Sequence, residues 1–487
     1  MATRTIWQDI YSMQMDGATT VAASSAANPD FAATKVGVQG NGTANERFSL
    51  ALTDHPNFKA PSGSLDTEQA TGKSTRQSSE YNVVQTGEAV QFALPMLGDA
   101  YNVSAFAKLL FQSGSSQGSP VNGSGIYKQT NVPYSSADTT EFAYFVRIMG
   151  GAAADPRDLK VSGALCHTLT ISGESGGVLN IEPTIYGAKW EQVNLSGNSA
   201  ALSTSFPDTV PLKFQDSSFV ILDTVGVDSS DGSRGYISST LTDWAFVAAT
   251  NGTGGTLASA AGTPYAVANG WDSTNHDIAD VVVIEGSASN DGIYPLSRTS
   301  DGLGELVDSA GTLYDFTAED NARSIKVQPA KWRTVNVPSV SFTITNNCMF
   351  NYYNDDTASN AIVGRLGVEG TFSMPYGTAG VGNNYMVDRF LAGEQMTVAW
   401  YWGQSGGSAD PKDDYKFNGA AITGHKNDST NDIKNYLSIV ANIRVTDYEI
   451  SGDNELMVDV TFSGAGSKAN DAVAIYAMYD TTLLTRA

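Results

Sequence analysis

The chain repeats itself, and that constrains its fold more than any other feature. The segment "TGEAVQFALPMLGDAYNVSAFAKLL" from Thr86 aligns with "LGVEGTFSMPYGTAGVGNNYMVDRFLAGE" from Leu366. Gly87 matches Gly367, Phe92 matches Phe372, Leu94 matches Met374 and Pro95 matches Pro375, all 280 positions apart; Tyr101 with Tyr385 and Phe106 with Phe390 follow at 284. A second block aligns "LTISGESGGVLNIEPTIYGA" from Leu169 with "YEISGDNELMVDVTFSGAG" from Tyr448. There Ile171-Ser172-Gly173 matches Ile450-Ser451-Gly452, and Leu179, Ile181, Glu182, Thr184, Ile185 and Gly187 match Leu456, Val458, Asp459, Thr461, Phe462 and Gly464 at 277. Two blocks in order along nearly one diagonal read as an internal duplication.

Each copy carries the same expected succession. A strand ends in an apolar-Pro motif (Val90, Phe92, Leu94, Pro95; Phe372, Met374, Pro375). A short amphipathic helix follows, with Val103, Phe106, Leu109 and Leu110 at helical spacing before Gly114, and with Tyr385, Met386, Phe390 and Leu391 before Gly393. Then come the strands "EFAYFVRIM" and "QMTVAWYWG" and a closing hairpin. The fold class this predicts is mainly β with minor α. It comprises two tandem antiparallel sandwich or half-barrel units, each with one flanking helix, plus an inserted small β-domain. The expected boundaries are 1–195 for the first unit, 196–224 for a linker and leading strand, 225–333 for the exposed insertion and 334–487 for the second unit. Within the insertion, "DWAFVAAT", "DIADVVVIEGS", "GIYPLS" and "SIKVQP" read as strands. The polar tracts 54–79 and 112–125 read as loops.

Gly173-Glu174-Ser175-Gly176-Gly177 fits the G-x-S-x-G nucleophile pattern. The duplication supplies a control: the second copy reads Gly452-Asp453-Asn454-Glu455 there, without serine. No recognisable histidine-and-acid motif accompanies Ser175, so the stretch reads as turn chemistry between two strands. No catalytic, cofactor-binding or metal-binding residue is expected, and the chain reads as a non-enzyme. Cys166 and Cys348 are the only cysteines, too few for a secreted disulfide framework. They are expected to be buried free thiols. Cys166 and His167 are neighbours that a strand would point to opposite faces, a poor metal pair.

The formal net charge is −23, from 51 acids against 28 Lys plus Arg. Such a surface repels nucleic-acid phosphates, which excludes a direct DNA binder and equally suits a surface that DNA must pass without sticking. Solubility alone would account for the same balance. The start, "MATRTIWQDIYSMQMDG", has no apolar signal core, and no run reaches a membrane span. The expectation is a protein made in a cytoplasm.

With these residues in hand, the chain resembles the tail tube proteins of long-tailed bacteriophages. "SVSFTITNNCMFNYY" looks like that family's strand ending in a double Asn, and "IVGRLGVEGTFSMPY" like its following Gly-Arg…Val-x-Gly-x-Phe strand. "DRFLAGEQMTVAWYW", "LSIVANIRVTDYEISGDNELMVDVTFSGAG" and "AIYAMYD" complete the order, and "SGALCHTLTISGESGGVLNIEPTIYGA" supplies the first copy's hairpin. The resemblance spans 40–189, 214–223 and 335–480. The insertion around 278–329 resembles, more weakly, small β-modules that decorate phage tail proteins.

The resemblance implies a structural virion protein. Tube domains close into rings around a hole, rings stack into the conduit for DNA ejection, and a duplicated chain would form trimeric, pseudo-sixfold rings. Implied partners are the chain itself, the tail terminator, tape measure and distal tail proteins, and double-stranded DNA in transit; no cofactor and no membrane are implied. The location would be the phage tail, after the host cytoplasm. Glu88, Asp99, Glu182, Glu369, Glu394 and Asp459 lie in or near candidate barrel elements and are candidates for the lumen. A β-rich adhesin or receptor-binding tail component, and a hydrolase using Ser175, are the competing readings.

Overall fold

The computed structural model describes residues 9–15, 47–54, 56, 65–68, 82–85, 90–112, 115–117, 126–133, 142–149, 158–193, 205–207, 211–223, 239–241, 245–247, 256–258, 281–287, 290, 292–298, 304–306, 319, 325–351, 360–376, 390–391, 393, 395–402, 435–452, 456–466, 472–480 and 483–485. The molecule is mainly β, its ladders are antiparallel, and one helix is described.

The first half contributes β1 (Asp9–Met15), β2 (Arg47–Ser49), β3 (Val90–Ala93), β4 (Met96–Leu97), α1 (Ala100–Phe111), β5 (Ile126–Asn131), β6 (Ala143–Met149), β7 (Asp158–Glu174), β8 (Asn180–Gly187) and β9 (Lys189–Val193). The second half contributes β10 (Ser217–Asp223), β11 (Ile325–Val335), β12 (Ser339–Thr345), β13 (Gly367–Pro375), β14 (Gln395–Trp402), β15 (Asn435–Ser451), β16 (Met457–Gly464) and β17 (Val473–Asp480).

Alternation shapes these strands. In β12 (SVSFTIT), Val340, Phe342 and Ile344 are buried while the Ser and Thr between them lie on the opposite face. β8 alternates in the same way, burying Ile181, Pro183 and Ile185. Full burial of each such apolar side chain contributes about 1.5–3 kcal/mol. The long strands β7 and β15, of 17 residues each, do two jobs apiece. The first part of β7 pairs with β6 on one side and β9 on the other; from Leu165 it pairs with β8 across a bulge at His167, and from Thr168 with β12 as well. The first part of β15 pairs with β14 and β17; from Ile443 it pairs with β16 across a bulge at Thr446.

The succession β2–β1–β6–β7–β8 thus has a counterpart in β11–β10–β14–β15–β16, and the registers agree step by step. Ser12 faces Val146, which faces Lys160, as Phe219 faces Trp400, which faces Ile439. Lys160 and Ile439 are as far apart in the chain as Ser172 and Ser451, the residues that close the two hairpins opposite Asn180 and Met457. One alignment shifts. Ile185 and Phe462 are counterparts by this register, and they pair with Phe92 and Gly370 respectively. The apolar-Pro strands therefore correspond at a spacing of 278, not 280, so Leu94 matches Phe372 and Met96 matches Met374. A shift of two keeps every side chain on its face, which is why the apolar pattern alone could not detect it.

The halves join along β7–β12, with seven residue pairs from Thr168↔Thr345 to Glu174↔Ser339, and again along β17–β5. Beneath the first seam lies an aromatic core. Phe342 stacks with Trp400 (6.1 Å), Trp400 meets Trp402 (4.2 Å), and Phe214 meets Trp400 edge-on (6.0 Å).

Helix α1 was expected to be amphipathic, but all twelve of its residues are buried. It is enclosed by β7, β15, β17 and β5, and Tyr101 meets Tyr479 edge-on at 5.4 Å. A helix covered by both halves needs no polar face. Asp99 caps its start, accepting from the Asn102 backbone N–H at 2.7 Å, and Gln112, at φ 56°, ends it ahead of Gly114. Most of the expected second helix lies outside the described residues; Phe390, near its end, packs edge-on against Tyr448 at 5.3 Å.

The tracts expected to be loops contain short strands, Leu65–Glu68 paired with Asn82–Gln85 and Ser115–Gln117 paired with β5. In the insertion, strands at Ala245–Val247, Val281–Glu285 and Gly292–Arg298 fall on the expected runs, while Ser239–Leu241 and Thr256–Ala258 lie outside them. β11 serves both regions: its first part pairs with Val281–Glu285, its second with β10, so one strand runs through the expected 333/334 boundary.

Candidate functional site

The ladder order β3/β4–β8–β7–β12–β13–β16–β15 makes a sheet whose outer face is polar. Register sets its side chains in rows. One row runs Glu174, Ser339, Ser373, Asp459, Glu449. The next runs Asn180, Ser172, Ser341, Thr371, Thr461, Asp447, and a third runs Glu182, Thr170, Thr343, Glu369, Ser463, Arg444. Glu174, Glu182, Glu369, Asp447 and Glu449 are exposed and Asp459 is half-buried. Arg444 is the one cation on this face among the described residues of these rows.

Hydroxyls hold the rows together. Thr170 and Thr343 share a hydrogen bond at 3.2 Å across the seam, and Ser339 donates to Ser373 at 3.3 Å between β12 and β13. The Ser373 hydroxyl donates to Asp459, and Ser451 donates to the other oxygen of that carboxylate at 2.8 Å. The face is a lawn of short hydroxyls with carboxylates standing on it, net negative among its described residues.

Three of the six candidate acids, Glu182, Glu369 and Asp459, lie on this face. Asp99 does not: it is buried as the cap of α1. Glu88 and Glu394 lie outside the described residues. Glu174, Asp447 and Glu449 share the face without having been singled out. The signal for them was the hairpin alternation, but the bulges at His167 and Thr446 reset its phase.

The sheet ends in an unpaired edge. In β7, residues 168–174 carry β12 on the side opposite β8. In β15, residues 445–451 carry no strand on the corresponding side among the described residues. On the other flank, among the described residues, the side of β3/β4 away from β8 carries the Leu52–Met96 bridge and a bond from the Thr53 N–H to the Pro95 carbonyl.

The double Asn has a local cause. Asn347 sits in the left-handed region (φ 49°), a conformation Asn tolerates, and its Nδ2 donates to the Arg365 carbonyl at 2.8 Å. Gly364 is needed beside it, because a Cβ there would lie 2.6 Å from the Asn347 carbonyl oxygen. The pair turns the chain out of β12 toward β13.

Ser175 is exposed in the β7–β8 turn, with Gly176 at φ 83° and the Ser175 N–H bonded to the Pro338 carbonyl. It borders a cleft of about 470 Å³ lined also by Phe214, Ser218, Val337, Pro375 and Met457. No histidine, aspartate or glutamate is among the described lining residues.

Both cysteines are free and buried. Cys166 faces the main core, while the bulge turns His167 to the polar side, stacked on Tyr186 at 4.1 Å. Cys348 Sγ lies 3.4 Å from His167 Nδ1, across the seam between the halves. Burial pushes the Cys348 thiol up to about 12 and the Cys166 thiol well above its usual value, so both are neutral at physiological pH. Burial also lowers the His167 pKa. Among the described residues no cluster of three or more His, Cys, Asp or Glu could hold a metal ion.

Compared with protein-family models and with curated proteins, the chain matches none.

Proposed function

We propose that this chain is a tail tube subunit of a long-tailed bacteriophage, a duplicated tube-domain protein that closes head to tail into trimeric, pseudo-sixfold rings and stacks into a conduit for DNA. One observation carries the reading. The seam that β12 makes with β7 inside the chain has its counterpart at β15 residues 445–451, where no described strand is paired. An unpaired edge is a template for another strand, and the β3/β4 flank of a second copy, marked by the Leu52–Met96 bridge, would meet it. A contact of that kind, repeated by rotation, closes a ring.

The dimensions are consistent with passage of a duplex. About eight strands from each of three chains, at ~4.8 Å spacing and ~40° tilt, give a backbone circle roughly 50 Å across. The polar sheet face would line it. Among the described residues of these rows, hydroxyls and carboxylates offer phosphates no cation apart from Arg444, which favours sliding of DNA over sticking. The insertion between β10 and β11 occupies the place of residues 16–46 in the first copy and would stand outside the ring.

Negative-stain microscopy of the purified chain tests this. The expected result is rings with a central hole and three outer densities, and on stacking, tubes. Monomers alone at every concentration and salt would overturn it, and a cell-surface or glycan-binding phenotype without rings would favour an adhesin.

A further inference from the structure

The second hairpin is exposed at residues flanking its turn where the counterpart residues of the first are covered. Leu179 is fully buried and Leu456 is 53% exposed; Ile171 is fully buried and Ile450 is 46% exposed. The cover in the first copy is the segment leading into β10. Leu179 donates its N–H to the Leu212 carbonyl, Phe214 donates to the Gly177 carbonyl, and Lys213 pairs with Val178. Phe214 lies so close to Gly173 that a Cβ there would meet its ring at 2.7 Å.

The segment leading into β1 carries the same aromatic-Gln-Asp order at the same distance. Ser12 and Phe219 are register counterparts, each facing the strand that pairs with a long central strand. Five residues before each stands an aromatic in one motif, Trp7-Gln8-Asp9 and Phe214-Gln215-Asp216. In the intact chain, then, the segment at the head of the second half covers the turn of the first half. The segment at the head of the first half has the same aromatic-Gln-Asp order, and Ile450 and Leu456 of the second hairpin stand exposed where Ile171 and Leu179 of the first are covered.

We propose that residues 5–9 of one chain seat on the Ile450–Leu456 turn of a second copy of this chain, Trp7 taking the place that Phe214 takes beside Gly173. This rests on the head-to-tail ring reading and adds to it a second contact, distinct from the strand edge. The ring is then clasped at its rim by the head of each neighbour, and Trp7 is an assembly residue.

Cysteine pairing in the full-length chain tests it. Lys213 and Val178 correspond to Ile6 and Glu455 by the same registers. Directly opposed residues in an antiparallel pair are close enough for a disulfide. Under mild oxidation, Lys213→Cys with Val178→Cys should close within one chain. Ile6→Cys with Glu455→Cys should instead join chains, giving a covalent ring on a non-reducing gel with the parent chain as baseline. Rings seen by microscopy with no cross-link between chains would overturn the clasp while leaving the ring reading intact. Closure of the Ile6–Glu455 pair within one chain would also overturn it. Monomers alone, with no cross-link, would sink both. As a second measurement, Trp7→Ala should raise the concentration needed for ring formation at least tenfold and leave melting of the dissociated chain unchanged, whereas Phe214→Ala should lower that melting. Unchanged assembly in Trp7→Ala would count against the clasp.

Discussion

The hairpins β7–β8 and β15–β16 pair strands of the same lengths, with a bulge at the corresponding place and the same register beyond it. Their surroundings differ. The first has β12 along its free side and Phe214 and Trp400 against Gly173; the second has an open side and an exposed Ile450 and Leu456. The same local plan therefore yields a core in one place and a surface in the other. Burial here is decided by which strand lies next door, and only one of the two places has its neighbour within the chain.

That contrast can be broken by substitution. Trp400 is fully buried where both halves meet, and Trp400→Ala should cost about 3–5 kcal/mol, read from the denaturant midpoint of the dissociated chain. A smaller loss would mean that the seam does not carry the fold. Ile171→Ala and Ile450→Ala form the sharpest pair: about 2–5 kcal/mol for the first and within about 0.5 kcal/mol for the second in the dissociated chain. Equal losses would show that the second turn is already covered within one chain.

Glycines refine the comparison inside β13. A Cβ at Gly370 would lie 2.3 Å from both Phe462 and the Ser341 carbonyl oxygen, whereas at Gly367 it would meet nothing within 4 Å. Gly370→Ala should destabilise by about 1–3 kcal/mol and Gly367→Ala should be close to neutral, measured by thermal melting. Asp99→Ala removes the cap of α1 and should cost about 1 kcal/mol, accompanied by faster amide exchange in the first helical turn.

The smallest effect concerns pH. Burial lowers the His167 pKa, so the unfolded chain binds the proton more readily than the folded one. His167 therefore contributes stability above its unfolded value near 6.5, and that contribution is lost as pH falls through this value toward the folded pKa. The loss is small because the ring is only half-buried, and His167→Gln should flatten stability between about pH 6.5 and the lower folded pKa. An unchanged pH profile in that variant would show that the ring is not desolvated at the seam.

Much of this was legible in residues. Alternation in "SVSFTIT" predicts a strand with Val340, Phe342 and Ile344 inward, and so it lies. The hairpin correspondence Leu179–Leu456 through Gly187–Gly464 holds in the ladders, because turn length and apolar alternation leave one register that buries the right face. The strands around Phe92 were harder. A two-residue slip conserves the face, and only the pairing of Ile185 with Phe92 and of Phe462 with Gly370 reveals it. Asp99 is a candidate for the lumen by its place in the sequence; its role as a cap depends on where α1 begins.

By itself, the sequence determined a mainly β chain, its repeating plan, the apolar sides of its strands and the turns between them. These follow from side-chain period and turn chemistry, which act over a few residues. Tertiary structure alone decided that α1 is enclosed by both halves, that β7 finds β12 while the end of β15 finds no described strand, and that Cys348 meets His167 across the seam. Those outcomes depend on contacts between residues up to hundreds of positions apart, and no local pattern specifies which of two equivalent edges is filled.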